Sequence, residues 1–182
     1  MTLELVRPDK KYLPSVLEAV AEYKSEPSRF DVSPVKRIIK AASENDFESY
    51  FREVENEAIG VGLKEGYVAE TIYWLVDGYH YIGSFALRHS LTPNLEKIGG
   101  HIAYEIRPSA RRKGYATRGL ELCVEKAKEM NIDQVLVTCN AENPASYGVM
   151  HQVMLKLGGY EDEVYQTDNL IEKRVWIKTK EA

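Results

Sequence analysis

The chain has 182 residues, a formal net charge of −4, and hydrophobic and aromatic contents of 44% and 10%, which suits one globular domain with a full core and a lined cleft. No apolar run nears the ~20 residues of a membrane span, and the opening MTLELVRPDK has no apolar signal-like centre, so no membrane association is expected and a cytoplasmic setting is. The mild acidity, with basic residues gathered in one stretch, speaks against nucleic-acid binding; Cys123 and Cys139 lack metal-ligand spacing and read as two buried reduced thiols, with no metal expected.

In chain order, residues 3–7 read as a short strand ended by Pro8, and residues 12–24 carry Val16, Leu17, Val20 and Ala21 at helical spacing. Residues 27–34 are turn-rich, residues 35–42 suit a second helix, and residues 45–57 a third with Phe47, Tyr50, Phe51 and Val54 on one side. Residues 59–66, with three glycines, form a loop. The period then changes. Residues 68–76 and 79–88 alternate as strands around an Asp77-Gly78 hairpin turn. Residues 90–99 are a loop, and 100–106 a strand stopped by Pro108. Residues 116–130 place Ala116, Leu120, Cys123, Val124 and Ala127 on one helical stripe, and 134–139 form a buried strand. Residues 144–157 are a helix closed by Gly158-Gly159, and 160–178 fit two strands around Thr167-Asp168-Asn169. The order predicts an α/β fold with a mixed, mostly antiparallel sheet flanked by helices. It reads as a single domain, with residues 1–66 variable and substrate-side and 67–182 the sheet and cofactor core.

Between a strand and a helix lies Ile106-Arg-Pro-Ser-Ala-Arg-Arg-Lys-Gly-Tyr-Ala-Thr-Arg118, with five basic residues and no acid. Free N–H groups at a helix start, a glycine that lets the chain approach closely and local positive charge make an anion site. The dinucleotide fingerprint and the nucleoside-triphosphate loop both fail, because only Gly114 and Gly119 are present and no G-x-x-x-x-G-K-[ST] occurs.

Arg111-Arg112-Lys113-Gly114-Tyr115-Ala116 satisfies [RQ]-x-x-G-x-[GA], and it lies between the strand YEIRP and an amphipathic helix. A strand ending in Cys139 and then Asn143-x-x-Ser146 follow. In this the chain resembles the GNAT acetyltransferase superfamily, closest to a bacterial subgroup with GHIxYxIRPSxRxKGYAT. The resemblance implies that acetyl-CoA is the co-substrate. Its pyrophosphate would meet the backbone near Arg112, Gly114, Tyr115, Ala116 and Thr117, with charge from Arg111, Arg112 and Lys113. It also implies that the backbone near Tyr104, Ile106 and Arg107 holds the pantetheine arm, and that Asn143 and Ser146 contact the cofactor from the other lip. Asn143 reads equally as a helix cap ahead of Pro144.

For the chemistry, alternation puts His101, Ala103 and Glu105 on one face of the fourth strand and Ile102, Tyr104 and Ile106 on the other. Glu105 is the natural base, an ion pair with a nearby arginine being its other reading. His101 suits a base by its intrinsic pKa, or a hydrogen-bonded structural histidine. The tyrosine that the family carries seven residues after the asparagine is Met150 here, so Tyr147 and His151 stand as substitutes. Arg88 and His89 form a polar cluster beside His101 for binding substrate, with Tyr50, Phe51 and the 59–66 loop completing the cleft. Two arginines near the cleft favour an acceptor bearing a carboxylate. The function expected is acetyl transfer to a primary amine, of a small molecule or a peptide, by direct transfer in a possible homodimer. A CoA-binding sensor or interaction module without turnover is the alternative.

Overall fold

The computed structural model describes residues 2–26 and 33–180. Six of the residues expected to be turn-rich, 27–32, lie outside the described residues. The Asp77-Gly78 turn joins β2 (Glu70–Asp77) to β3 (His80–Arg88), antiparallel with Trp74 opposite Ser84 and a register shift between Leu75 and Val76. Residues 71–76 and 81–87 are buried without interruption, as they must be in strands covered on both faces. β1 (Leu3–Val6) pairs with β2, and β4 (Ile102–Ile106) with β3, giving the sheet order β1-β2-β3-β4.

On one face, Ile72, Trp74, Val76, Tyr81 and Ala86 pack against α1 (Leu13–Ser25), α2 (Ser33–Glu44) and α3 (Phe47–Ala58). On the other, Tyr73, Leu75, Phe85, Leu87, Ile102 and Ile106 pack against α5 (Tyr115–Glu129) and α6 (Pro144–Leu157). The loop expected at residues 90–99 contains a short helix, α4 (Pro93–Lys97), whose start is capped by Thr92 Oγ1 accepting from Leu95 N–H. Its single turn carries too few positions for a periodic signal.

The expected single mixed sheet is instead two sheets. β5 (Gln134–Asn140), β7 (Leu170–Lys178) and β6 (Gly159–Thr167) form the second, in the order β5-β7-β6, and every ladder in both is antiparallel. Its Val135, Val137, Val175 and Ile177 share the core with α5 and α6. Cys123 and Cys139 are buried free thiols, both with pKa values pushed up by burial. No described helix is long and apolar enough to cross a membrane.

Candidate active site

β4 and β5 meet at one joint and form no ladder beyond it. His101 N–H donates to Leu136 O at 2.7 Å, and Leu136 N–H donates to His101 Nδ1 at 2.9 Å. An Nδ1 that accepts from a backbone amide carries no proton, so the ring is neutral. Burial and the nearby Arg88 charge bring its pKa down to about 4. Its ring lies edge-on to Trp176 at 6.1 Å. Of the two sequence readings, the geometry is that of a structural histidine.

Past the joint, the β4 edge toward β5 is open. Arg107 N–H is committed to Ile82 O across β3, so by alternation the backbone groups of Tyr104 and Ile106 face the gap. Ile106 O accepts from Arg111 Nε at 3.2 Å. On the far lip, Asn143 caps α6, its Oδ1 accepting from Ser146 N–H at 3.1 Å. Tyr104 Oη reaches across to Ser146 Oγ at 3.1 Å.

β4 leads through a 3-10 turn (Pro108–Ala110) to α5. Gly114 is the N-cap, with φ +80° and no side-chain capping bond. The first backbone bond into the helix runs from Arg118 N–H to Gly114 O, so the N–H groups of Tyr115, Ala116 and Thr117 point outward at the positive end of the dipole. A Cβ on Gly114 would meet nothing within 4 Å. The glycine is there for its left-handed conformation and the open approach. Gly119, one turn on, has a different reason: its Cβ would run into the Phe85 ring, and its absence lets α5 sit on β3.

The basic stretch is less bare than its sequence. Arg107 turns under α1, where its Nε donates to Glu22 Oε1 at 3.0 Å and its Nη1 to Ser15 Oγ and Tyr81 O. Burial would raise the Glu22 pKa, but hydrogen bonds from Arg107 and Ser109 outweigh it and hold the carboxyl at about 2. Arg111 pairs with Glu105 at 3.0 Å and Glu26 at 2.8 Å, and Arg118 with Glu121 at 3.0 Å. Lys113 Nζ donates to Ser109 O, and Lys113 and Arg112 are exposed beside Gly114. Glu22 and Glu26 come from in and just after α1, and no local signal in the sequence announces them; Glu121 is an i,i+3 neighbour of Arg118 within α5.

Two groups of expected substrate contacts are engaged inside the protein. Arg88 pairs with Glu70 at 3.3 Å and donates to the carbonyls of Gly99 and Gly100 at 3.0 and 2.9 Å. His89 Nε2 is 2.9 Å from Thr71 Oγ1. These bonds tie Arg88 and His89 into the protein, and Arg107 is tied to Glu22. Tyr50 is a core residue, stacked on Trp74 at 6.1 Å. Tyr147 donates to Glu161 Oε1 at 2.6 Å, Lys173 Nζ lies 3.7 Å from its ring centroid, and His151 Nε2 is 3.2 Å from the same carboxylate. Both side chains are thereby turned to β6. Met150 is fully buried. Among the described residues, no group of three or more His, Cys, Asp or Glu is placed to hold a metal ion.

The facing edges of two sheets part beyond one joint and open onto an unblocked helix N-terminus with a glycine at its start, a frame that suits an acyl-CoA-dependent transferase. Residues 3–156 match the model of the acetyltransferase (GNAT) domain, and the chain belongs to that family. It is 35% identical over 69 residues to an uncharacterised N-acetyltransferase, YnaD, of Bacillus subtilis (strain 168), a match spanning 35% of this chain and 41% of that protein. Among solved structures it resembles RimL, a ribosomal alpha-N-protein acetyltransferase, at 15% identity and a TM-score of 0.61 over 98% of this chain and 91% of the other. A GNAT-family acetyltransferase from Bacillus anthracis is 21% identical with a TM-score of 0.57, covering 100% and 97%. A chimeric spermidine N-acetyltransferase of Vibrio cholerae is 14% identical with a TM-score of 0.60, covering 98% and 96%. At these identities the likeness shows the fold.

Proposed function

We propose that this protein transfers an acetyl group from acetyl-CoA directly to a primary amine. The observation that carries the reading is the open gap between β4 and β5 leading to the outward N–H groups of Tyr115, Ala116 and Thr117. These groups suit a pyrophosphate, with the exposed Arg112 and Lys113 beside it. Tyr104 and Ile106 offer backbone groups to the pantetheine arm, and Asn143 and Ser146 close the other lip. Bound there, acetyl-CoA supplies an activated thioester.

Glu105 sits near the open end of β4, oriented by Arg111 at 3.0 Å. It takes the proton shed by the attacking amine, through water, with its arginine partner preventing it from swinging away. His101 is not the base in this reading, because its Nδ1 lone pair is taken at the joint and Nε2 then carries the proton. Holding amine and thioester in one cleft supplies much of the acceleration. The acceptor enters from the α1–α3 side of β4, which Ala103 and Glu105 face. It is a small-molecule or peptide amine with no required carboxylate.

The experiment is a thermal-shift titration with acetyl-CoA followed by thiol release with a panel of polyamines, amino-acid amides and N-terminal peptides. A rise in melting temperature with acetyl-CoA and acceptor-dependent CoA release is the expected outcome. A thermal shift without turnover on any amine would reassign the chain as a CoA-binding module, and no shift at all would remove both readings.

A further inference from the structure

The geometry points to Tyr104 as the residue whose hydroxyl donates to the thiol sulfur as it leaves, an assignment that rests on the cofactor reading above. Tyr104 is fixed at both ends. Its ring stacks on Phe85, with centroids 5.3 Å apart and planes 16° from parallel. Its hydroxyl leaves β4 and reaches the first turn of α6, 3.1 Å from Ser146 Oγ and 3.4 Å from Ser146 O. The backbone of the same residue faces the gap. One side chain therefore spans the two lips between which the thioester end of the cofactor would lie.

The helix on the far lip has no phenol to offer in its place. Met150 is fully buried, and the Tyr147 hydroxyl is held by Glu161 on β6. The Tyr104 bond to Ser146 is one that a competing acceptor can replace, since both partners are hydroxyls and Ser146 is able to donate or accept. Burial keeps the phenol protonated through the neutral and alkaline range. In the transfer, the acceptor nitrogen forms the C–N bond and the C–S bond breaks with its electron pair going to sulfur. The Tyr104 hydroxyl keeps its proton, since burial disfavours the phenolate, and donates a hydrogen bond to the departing thiolate; the acceptor nitrogen sheds its proton through Glu105, and the sulfur takes one from solvent on release.

The test needs no knowledge of the acceptor. CoA and desulfo-CoA binding are measured near neutrality and at about pH 9.5, above the usual thiol pKa of about 8.5. The proteins are the full-length wild type, Tyr104→Phe, which retains the stacking on Phe85, and Ser146→Ala. Tyr104→Phe is expected to weaken CoA at the higher pH by about tenfold, the worth of one hydrogen bond to a charged atom. Desulfo-CoA affinity stays unchanged, and the thiolate absorbance of bound CoA appears at higher pH than in the wild type. Ser146→Ala is expected to retain the thiolate preference.

Equal CoA affinity of Tyr104→Phe and wild type at about pH 9.5 overturns the assignment. So does loss of the preference in Ser146→Ala alone, which would make the serine the donor. Failure of the wild type to bind either ligand removes the cofactor reading itself, and this assignment with it.

Discussion

His101 and Leu136 exchange two hydrogen bonds, backbone to backbone at 2.7 Å and backbone to ring at 2.9 Å, and this exchange is where the two sheets meet. A strand gap that admits a ligand needs its strands fixed at one end and free at the other. The imidazole supplies the second bond of the fixed end, where a continued ladder would have closed the gap.

The joint makes stability depend on pH. The ordinary histidine value is 6.5 and the folded value is about 4, so the unfolded chain binds the extra proton first. The contribution is fully present above about pH 6.5 and is lost as pH falls toward about 4, a difference of about 3 kcal/mol at most. Urea unfolding at pH 7 and pH 5 should show the wild type losing stability on acidification. His101→Phe should be less stable than wild type at pH 7 and show a shallower dependence. Parallel pH profiles for the two proteins would mean that His101 does not titrate as placed.

Gly114→Glu should eliminate the acetyl-CoA thermal shift. It sets a carboxylate among the N–H groups of the α5 N-terminus and imposes a side chain on φ +80°. The far-ultraviolet circular dichroism should remain that of the wild type, because a Cβ there meets no neighbour within 4 Å. The backbone strain alone costs about 1 kcal/mol. An unchanged acetyl-CoA affinity would place the pyrophosphate elsewhere.

Arg88→Met separates a structural arginine from a substrate-binding one. It removes the 3.3 Å partner of Glu70, whose pKa burial already raises, and uncaps the carbonyls of Gly99 and Gly100. A loss of about 3 kcal/mol in unfolding free energy is expected, partly recovered in the double variant with Glu70→Gln. A selective rise in acceptor KM at unchanged stability would return Arg88 to the substrate.

Much of the fold was legible because its signals are local. The Asp77-Gly78 hairpin, the stripe of α5 and the Gly158 stop of α6, where φ is +86°, each depend on neighbours a few residues away. The α5 start was legible for the same reason, since a strand, a glycine and a helix start are contiguous. The side-chain partners were not. Arg107 meets Glu22 85 residues away, and no periodicity encodes such a pairing; Arg88 stands opposite Glu70 across the β2–β3 hairpin, in a register set by the shift between Leu75 and Val76 that the turn residues do not announce.

By itself the sequence determined where a helix would start behind a left-handed glycine with free N–H groups, because both follow from local chain geometry. Only the tertiary structure decided what the charges do. The basic stretch that contains no acid of its own receives Glu22 from α1, Glu26 as the residue that ends that helix, and Glu105 from β4. Those carboxylates lock Arg107 and Arg111 into the frame and leave Arg112 and Lys113 exposed beside the helix start. Coulomb attraction acts through space, and where its partners stand is settled only when the chain has folded.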